Sequence, residues 1–121
     1  MRDSCNKRTD EYGGSIQNRA RLCLEALDEL IAVFGPQRTG IKLSLVCDYN
    51  DLYDSDPMGL MEYLVEEFNK RNLAFIEFNE AITFDPATAK EKYEQVWGKY
   101  EKKSFRENFK PKFKGAWITN Y

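Results

Sequence analysis

Lys42 and Glu77 are the residues whose setting most invites chemistry. Lys42 interrupts the run TGIKLSLVC, where Ile41, Leu43 and Leu45 alternate with Lys42 and Ser44. Glu77 does the same in LAFIEFN, where Ala74, Ile76 and Phe78 alternate with Phe75, Glu77 and Asn79. Such strict alternation marks a strand with one apolar and one polar face. A cation and a carboxylate on polar faces can pair with one another, or can stabilise charge that develops on a bound molecule. The usual acid–base machinery is missing, because the chain has no histidine, the commonest general base and metal ligand. Cys5, Cys23 and Cys47 are odd in number and lack CxxC spacing, which disfavours both a disulfide framework and a zinc site. No residue therefore earns a catalytic or metal-binding role, and chemistry must come from other groups or from a cofactor.

Two polar stretches flank this pair. Near the start, NKRTDEYGGSIQN is a glycine-paired turn with only Met1 to Cys5 before it, leading straight into an apolar-periodic segment. Towards the end, residues 81–114 hold 9 Lys and Arg against 5 Asp and Glu, which leaves the rest of this chain of net charge −2 distinctly acidic. Tyr100, Phe105, Phe109 and Phe113 lie within that basic stretch. Basic residues interleaved with aromatics can form a single-strand nucleic-acid surface. An acidic remainder opposes phosphate, so a solvated excursion with aromatics packed beneath it is the favoured reading.

The elements that must position these residues follow from periodicity. Ser15 is a plausible N-cap for a helix whose Ile16, Ala20, Cys23, Leu24, Leu27, Leu30, Ile31 and Phe34 recur every three or four residues, until Gly35-Pro36 stops it. After the Lys42 strand, Asp56-Pro57 starts a second helix with Leu60, Met61, Leu64, Val65 and Phe68 as its buried stripe. The Glu77 strand comes next. Asp85-Pro86 opens a third helix carrying Ala89, Tyr93, Val96, Trp97 and Tyr100 on one face. Residues 101–112 are expected to be irregular, and GAWITNY to form a last short strand.

Alternating helices and strands predict parallel strands joined by crossover helices, an α/β fold. Helices cover both faces of a doubly wound sheet, where Lys42 and Glu77 would be awkward. The inner face of a (β/α)8 barrel accommodates them near its functional end. About three strands cannot close a barrel that typically takes about 250 residues. The expectation is thus a partial (β/α)8 TIM barrel, a single incomplete domain over residues 1–121 with a divergent, Lys- and aromatic-rich excursion at 82–112. With no apolar run of membrane-spanning length, a soluble, cytoplasmic protein is expected.

NKRTDEYGGSIQNRAR, GIKLS, YLVEEFNKRNLAFIEFNE and FKGAWITNY together resemble the Old Yellow Enzyme family of FMN-dependent NAD(P)H:flavin oxidoreductases, which includes 12-oxophytodienoate and N-ethylmaleimide reductases. The resemblance places the glycine-paired turn after the fourth barrel strand, with Arg8, Asp10 and Arg19 fixing the loop. It implies an ene-reductase with FMN at the C-terminal ends of the strands. Hydride would pass from NADH or NADPH through the flavin to the activated C=C bond of an enone or enal. Lys42 falls where the family has a basic residue, more often arginine, facing the N1 and C2 carbonyl edge of the flavin. Thr119 and Asn120 match positions whose backbone amides bind the FMN phosphate, usually in a glycine pair. The family's substrate-holding His or Asn pair and its proton-donating tyrosine precede Met1, so the isolated chain is expected to be inactive. Open strand edges predict self-association, and neither nucleic acid nor membrane is expected as a partner. The alternative is a non-catalytic remnant, or an interaction module using residues 99–114.

Overall fold

The computed structural model describes residues 1–45, 52–80 and 104–120. Helix α1 (Ile16–Phe34) begins where Ser15 Oγ accepts the Asn18 N–H, and ends at Gly35, whose φ of 80° few other residues adopt. A single 3-10 turn, Pro36–Arg38, leads into strand β1 (Gly40–Leu43). Helix α2 (Pro57–Lys70) starts as the Asp-Pro pair predicts, with an Asp56 carboxylate oxygen accepting the Gly59 N–H at 2.9 Å. Its end is a Schellman motif: Asn72 takes φ 53°, Asn72 N–H donates to Asn69 O, and Leu73 N–H donates to Phe68 O. Strand β2 (Phe75–Asn79), helix α3 (Phe105–Phe109) and strand β3 (Ala116–Asn120) complete the described chain.

The three strands are parallel, in the order β1-β2-β3. Their register sorts the residues onto two faces. Ile41, Ile76 and Trp117 form one row of the outer face, and Leu43, Phe78 and Thr119 the next. The helices cover this side, so Ile76, Phe78, Leu60, Met61, Leu64, Phe68 and Phe105 are almost entirely removed from water. Rings line up within the core: Phe78 stacks on Phe105 at 4.4 Å between centroids, and on Trp117 at 5.9 Å. Arg71, at the end of α2, fastens that helix to α1 through both carboxylate oxygens of Asp28 (2.6 and 2.9 Å), and is itself steadied by Glu67 of α2 (2.7 Å). The hydrogen bond from Arg71 holds the Asp28 carboxyl below its ordinary value.

Three expectations change. Residues 101–112 are not wholly irregular, since α3 occupies Phe105–Phe109 with Ser104 Oγ capping the Glu107 N–H at 3.0 Å. The sequence Ser104-Phe-Arg-Glu107 has the spacing of a helix-start box, and Phe105 and Phe109 are both buried. The apolar stripe of α1 is only partly used, because Leu30 and Phe34 are exposed at 45% and 52% while Ala20, Leu24 and Leu27 form its core contact. Strand β1 stops at Leu43, and Leu45 is buried beyond its end. The helix expected from Asp85, and Cys47, lie outside the described residues.

The described aromatic residues of the basic stretch, Phe105, Phe109 and Phe113, are committed to packing. Phe105, Phe109 and Phe113 are at most 4% exposed, so none of these rings can stack on a base. Lys112 pairs with Glu62 at 2.7 Å, and Lys110 Nζ donates to Gly115 O.

Candidate functional site

The inner face of the sheet is layered along the strands. Its lowest row is Gly40, Phe75 and Ala116. The Phe75 ring lies so close over Gly40 that a Cβ there would come within 2.4 Å of it, so this end is filled by an aromatic plug. The next row is Lys42, Glu77 and Ile118, and the last pairs Asn79 with Asn120. The face thus turns from apolar to polar towards the C-terminal ends of the strands, the end that carries function in parallel βα folds.

Lys42 and Glu77 are direct register partners and form an ion pair, Nζ to Oε1 2.7 Å. Asn120 Nδ2 approaches the same Glu77 oxygen at 3.4 Å. The hydrogen bond from Lys42, and then that from Asn120, hold the Glu77 carboxyl below its usual range. The Lys42 side chain is 57% exposed and Ile118 46%, so the row presents a cation, a carboxylate and an apolar surface side by side.

Thr119 is placed differently from Lys42 and Asn120. Its side chain points to the outer face, where the hydroxyl oxygen is buried without a hydrogen-bond partner. Its backbone has the opposite orientation to that of Asn120. Ala116 N–H donates to Ala74 O, and Glu80 N–H donates to Asn120 O. Backbone groups alternate sides along a strand, so the even-numbered residues of β3 face β2 while the Trp117 and Thr119 amides face the open edge. Of the two amides at the end of β3, only that of Thr119 is directed away from the β2 ladder.

A flavin is a planar apolar ring system with one polar, electron-accepting edge and a phosphate tail, which gives a test of fit. Lys42 offers a cation, Ile118 an apolar surface and Thr119 an outward amide, each within this one sheet. These donors suit such a group, although the Lys42 charge is matched by Glu77.

Loops at the same end of the sheet are tied together by a polar junction that local sequence patterns did not reveal. Arg19 is 8% exposed and donates through Nε to Met1 O, through Nη1 to Gly14 O (both 2.8 Å), and through Nη2 to the fully buried Asp54 at 3.0 Å. Asp54 also accepts the Asp3 N–H, while the Asp3 carboxylate accepts the Ser55 amide and hydroxyl. Burial would raise the Asp3 carboxyl, but the Ser55 hydrogen bonds, with Arg19 and Lys7 nearby, outweigh it and hold it below its ordinary value. The turn expected at Gly13-Gly14 explains its glycines. Gly14 has φ 84°, and a Cβ on Gly13 would sit 2.0 Å from Arg8 O. Arg8 pairs with Asp10, which also accepts the Tyr12 N–H. Arg8, Asp10 and Arg19 thus act as loop-fixing groups.

Two further features lie apart from the inner face. A cleft of about 550 Å3 on the flank of α1 is bordered by Met1, Tyr12, Leu22 and Cys23. Burial raises the Cys23 thiol, which disfavours its reactive form. Glu80, just past β2, is raised by burial despite accepting the Arg106 N–H at 2.8 Å, a bond that joins the end of β2 to the start of α3.

Comparison with known proteins places this geometry. The chain is 41% identical over 101 residues to a probable flavin mononucleotide-dependent alkene reductase of Leishmania infantum, covering 79% of this chain and 28% of that protein. It is 50% identical over 70 residues to 12-oxophytodienoate reductase 1 of Oryza sativa subsp. japonica, covering 58% of this chain and 18% of that one. A mutant morphinone reductase in complex with tetrahydroNAD superposes with a TM-score of 0.76 at 38% identity, over 99% of this chain and 29% of its own. An old yellow enzyme homologue from Zymomonas mobilis gives 0.77 at 28% identity, over 98% and 31%. The chain spans less than a third of each of these relatives, and its three parallel strands are an arc of a (β/α)8 barrel. Residues 1–119 match the NADH:flavin oxidoreductase / NADH oxidase family, and the chain belongs to it.

Proposed function

We propose that this chain is part of an FMN-dependent ene-reductase that uses NADH or NADPH to reduce the activated C=C bond of an enone or enal. The family match over residues 1–119 carries this reading, and the placement of Lys42 on the inner face supports it. FMN, when bound, supplies the transfer of hydride from the nicotinamide to the alkene. Lys42 would hold the polar edge of the ring and offset the negative charge that reduction adds there. Ile118 would support the ring, and the outward amide of Thr119 would donate to the phosphate. The Asn120 amide is directed into the ladder, so its contribution would come from the side chain.

Further elements are needed to enclose a ligand here. The described sheet is open at both edges, and Leu22, Leu30, Val33 and Phe34 on α1 are exposed. In this reading other barrel strands pair with β1 and β3, and a neighbouring helix covers α1. The chain alone would be inactive, would not retain FMN, and would self-associate through these surfaces.

The test grafts residues 1–120 in place of the corresponding arc of morphinone reductase. The graft should retain FMN through desalting and consume NADH or NADPH in the presence of 2-cyclohexenone. A folded graft that holds no flavin would refute the assignment.

A further inference from the structure

Glu77 has no part in the functional reading above, yet it touches two of the residues on which that reading relies. Its Oε1 lies 2.7 Å from Lys42 Nζ and 3.4 Å from Asn120 Nδ2. The strand register makes the three side chains neighbours. Parallel register sets Lys42 opposite Glu77, and Asn120 one inner-face row above Glu77 on the adjoining strand. The sheet thus sets both partners within reach of Glu77, although an exposed pair of this kind contributes little to stability by itself.

We propose that Glu77 is a positioning residue for the flavin reaction, holding the Lys42 ammonium and the Asn120 amide at the functional end of the inner face and offsetting the Lys42 charge. This rests on the ene-reductase reading. Lys42 could otherwise extend towards solvent, as its 57% exposure allows. Held by Glu77, it keeps a fixed position beside Ile118. A carboxylate there has a second consequence: it works against the negative charge that reduction adds to the ring, so it sets an upper bound on how strongly Lys42 favours the reduced form. Glu77 and Lys42 would act as opposed controls on the same quantity, the preference of the site for reduced over oxidised FMN.

Two experiments test this. In the morphinone reductase graft labelled with 15N at asparagine, with or without FMN, the Asn120 side-chain amide should shift with pH as the Glu77 carboxyl titrates, and Glu77→Gln should abolish that shift while leaving the melting temperature in place. An Asn120 amide that ignores Glu77→Gln would overturn the proposal. In the morphinone reductase graft, the ratio of affinities for reduced over oxidised FMN is read from the reduction potential. Lys42→Met should lower that ratio. Glu77→Gln should raise it about tenfold, or about 30 mV for a two-electron couple, and Glu77→Asp, which keeps the charge on a shorter arm, should stay nearer the parent. If Lys42→Met lowers the ratio and Glu77→Gln leaves it unchanged, the role of Glu77 is refuted while the flavin reading stands. If neither variant moves it, or no FMN is held, both fall.

Discussion

On its outer face the sheet buries Ile76 and Phe78 completely against Phe68 and Phe105, whereas one residue along the same strands the inner face turns Lys42, Glu77 and Asn120 towards solvent. The two faces share backbone, register and twist, so the difference lies entirely in side-chain chemistry. The outer face is organised by volume: stacked rings, helix stripes and no charge within the packed rows. The inner face is organised by polarity, graded from the Phe75 plug to the two asparagines. A face that served stability alone would repeat the apolar pattern of its opposite side. Retaining a charged row on strands so well able to bury apolar groups costs packing, a cost that the proposed flavin contacts of Lys42 would explain.

The contrast is broken most severely from the outer side. Phe78→Ala empties the centre of the ring stack, and should cost about 3–5 kcal/mol by urea unfolding followed through tryptophan fluorescence. A loss no larger than that of an exposed substitution would mean that the outer face is not the core. Next in size is Arg19→Met, which strands the buried Asp54 carboxylate at the junction between the two loops. Removing one partner of a buried pair costs about 3 kcal/mol, and Asp54→Asn combined with Arg19→Met should recover part of it. If the double variant is no better than the single one, the pair does not act as a unit.

Asp3 gives a smaller effect that depends on pH. Its folded carboxyl lies below its ordinary value, so its contribution is complete above the unfolded carboxylate range and is lost as pH falls through the depressed native value. Asp3→Asn should therefore destabilise the protein at neutral pH and flatten the acid limb of the stability profile. Parallel profiles for parent and variant would contradict the Asp3–Ser55 contact.

Much of this could be read from the residues themselves. The second helix was fully legible, because Asp56-Pro57 fixes its start and the positions from Leu60 to Phe68 repeat without a break. Strand alternation likewise separated Lys42 and Glu77 from their apolar neighbours. What stayed hidden has physical reasons. Leu30 and Phe34 have the spacing of core residues, but periodicity reports a helix face and not whether a neighbour covers it. Helix α3 was obscured because its two buried rings sit among lysines that dominate the composition. The Arg19–Asp54 and Asp3–Ser55 contacts join residues 35 and 52 positions apart, and polar pairs at such separations leave no local period. Alternation also could not distinguish Thr119 from Asn120, since which amide faces an open edge depends on the partner strand.

In the proposed reading the inner face works through Lys42 while the outer face provides stability. That division of roles is tested most directly by the rate at which NADH or NADPH reduces the flavin in the morphinone reductase graft carrying Lys42→Met. The account predicts a rate lower by about 10- to 1000-fold, the scale of losing one electrostatic stabiliser, with the melting temperature unchanged and with Lys42→Arg retaining most of the rate. An unchanged rate with a depressed melting temperature would contradict it, and would leave the Lys42–Glu77 pair as a purely structural contact.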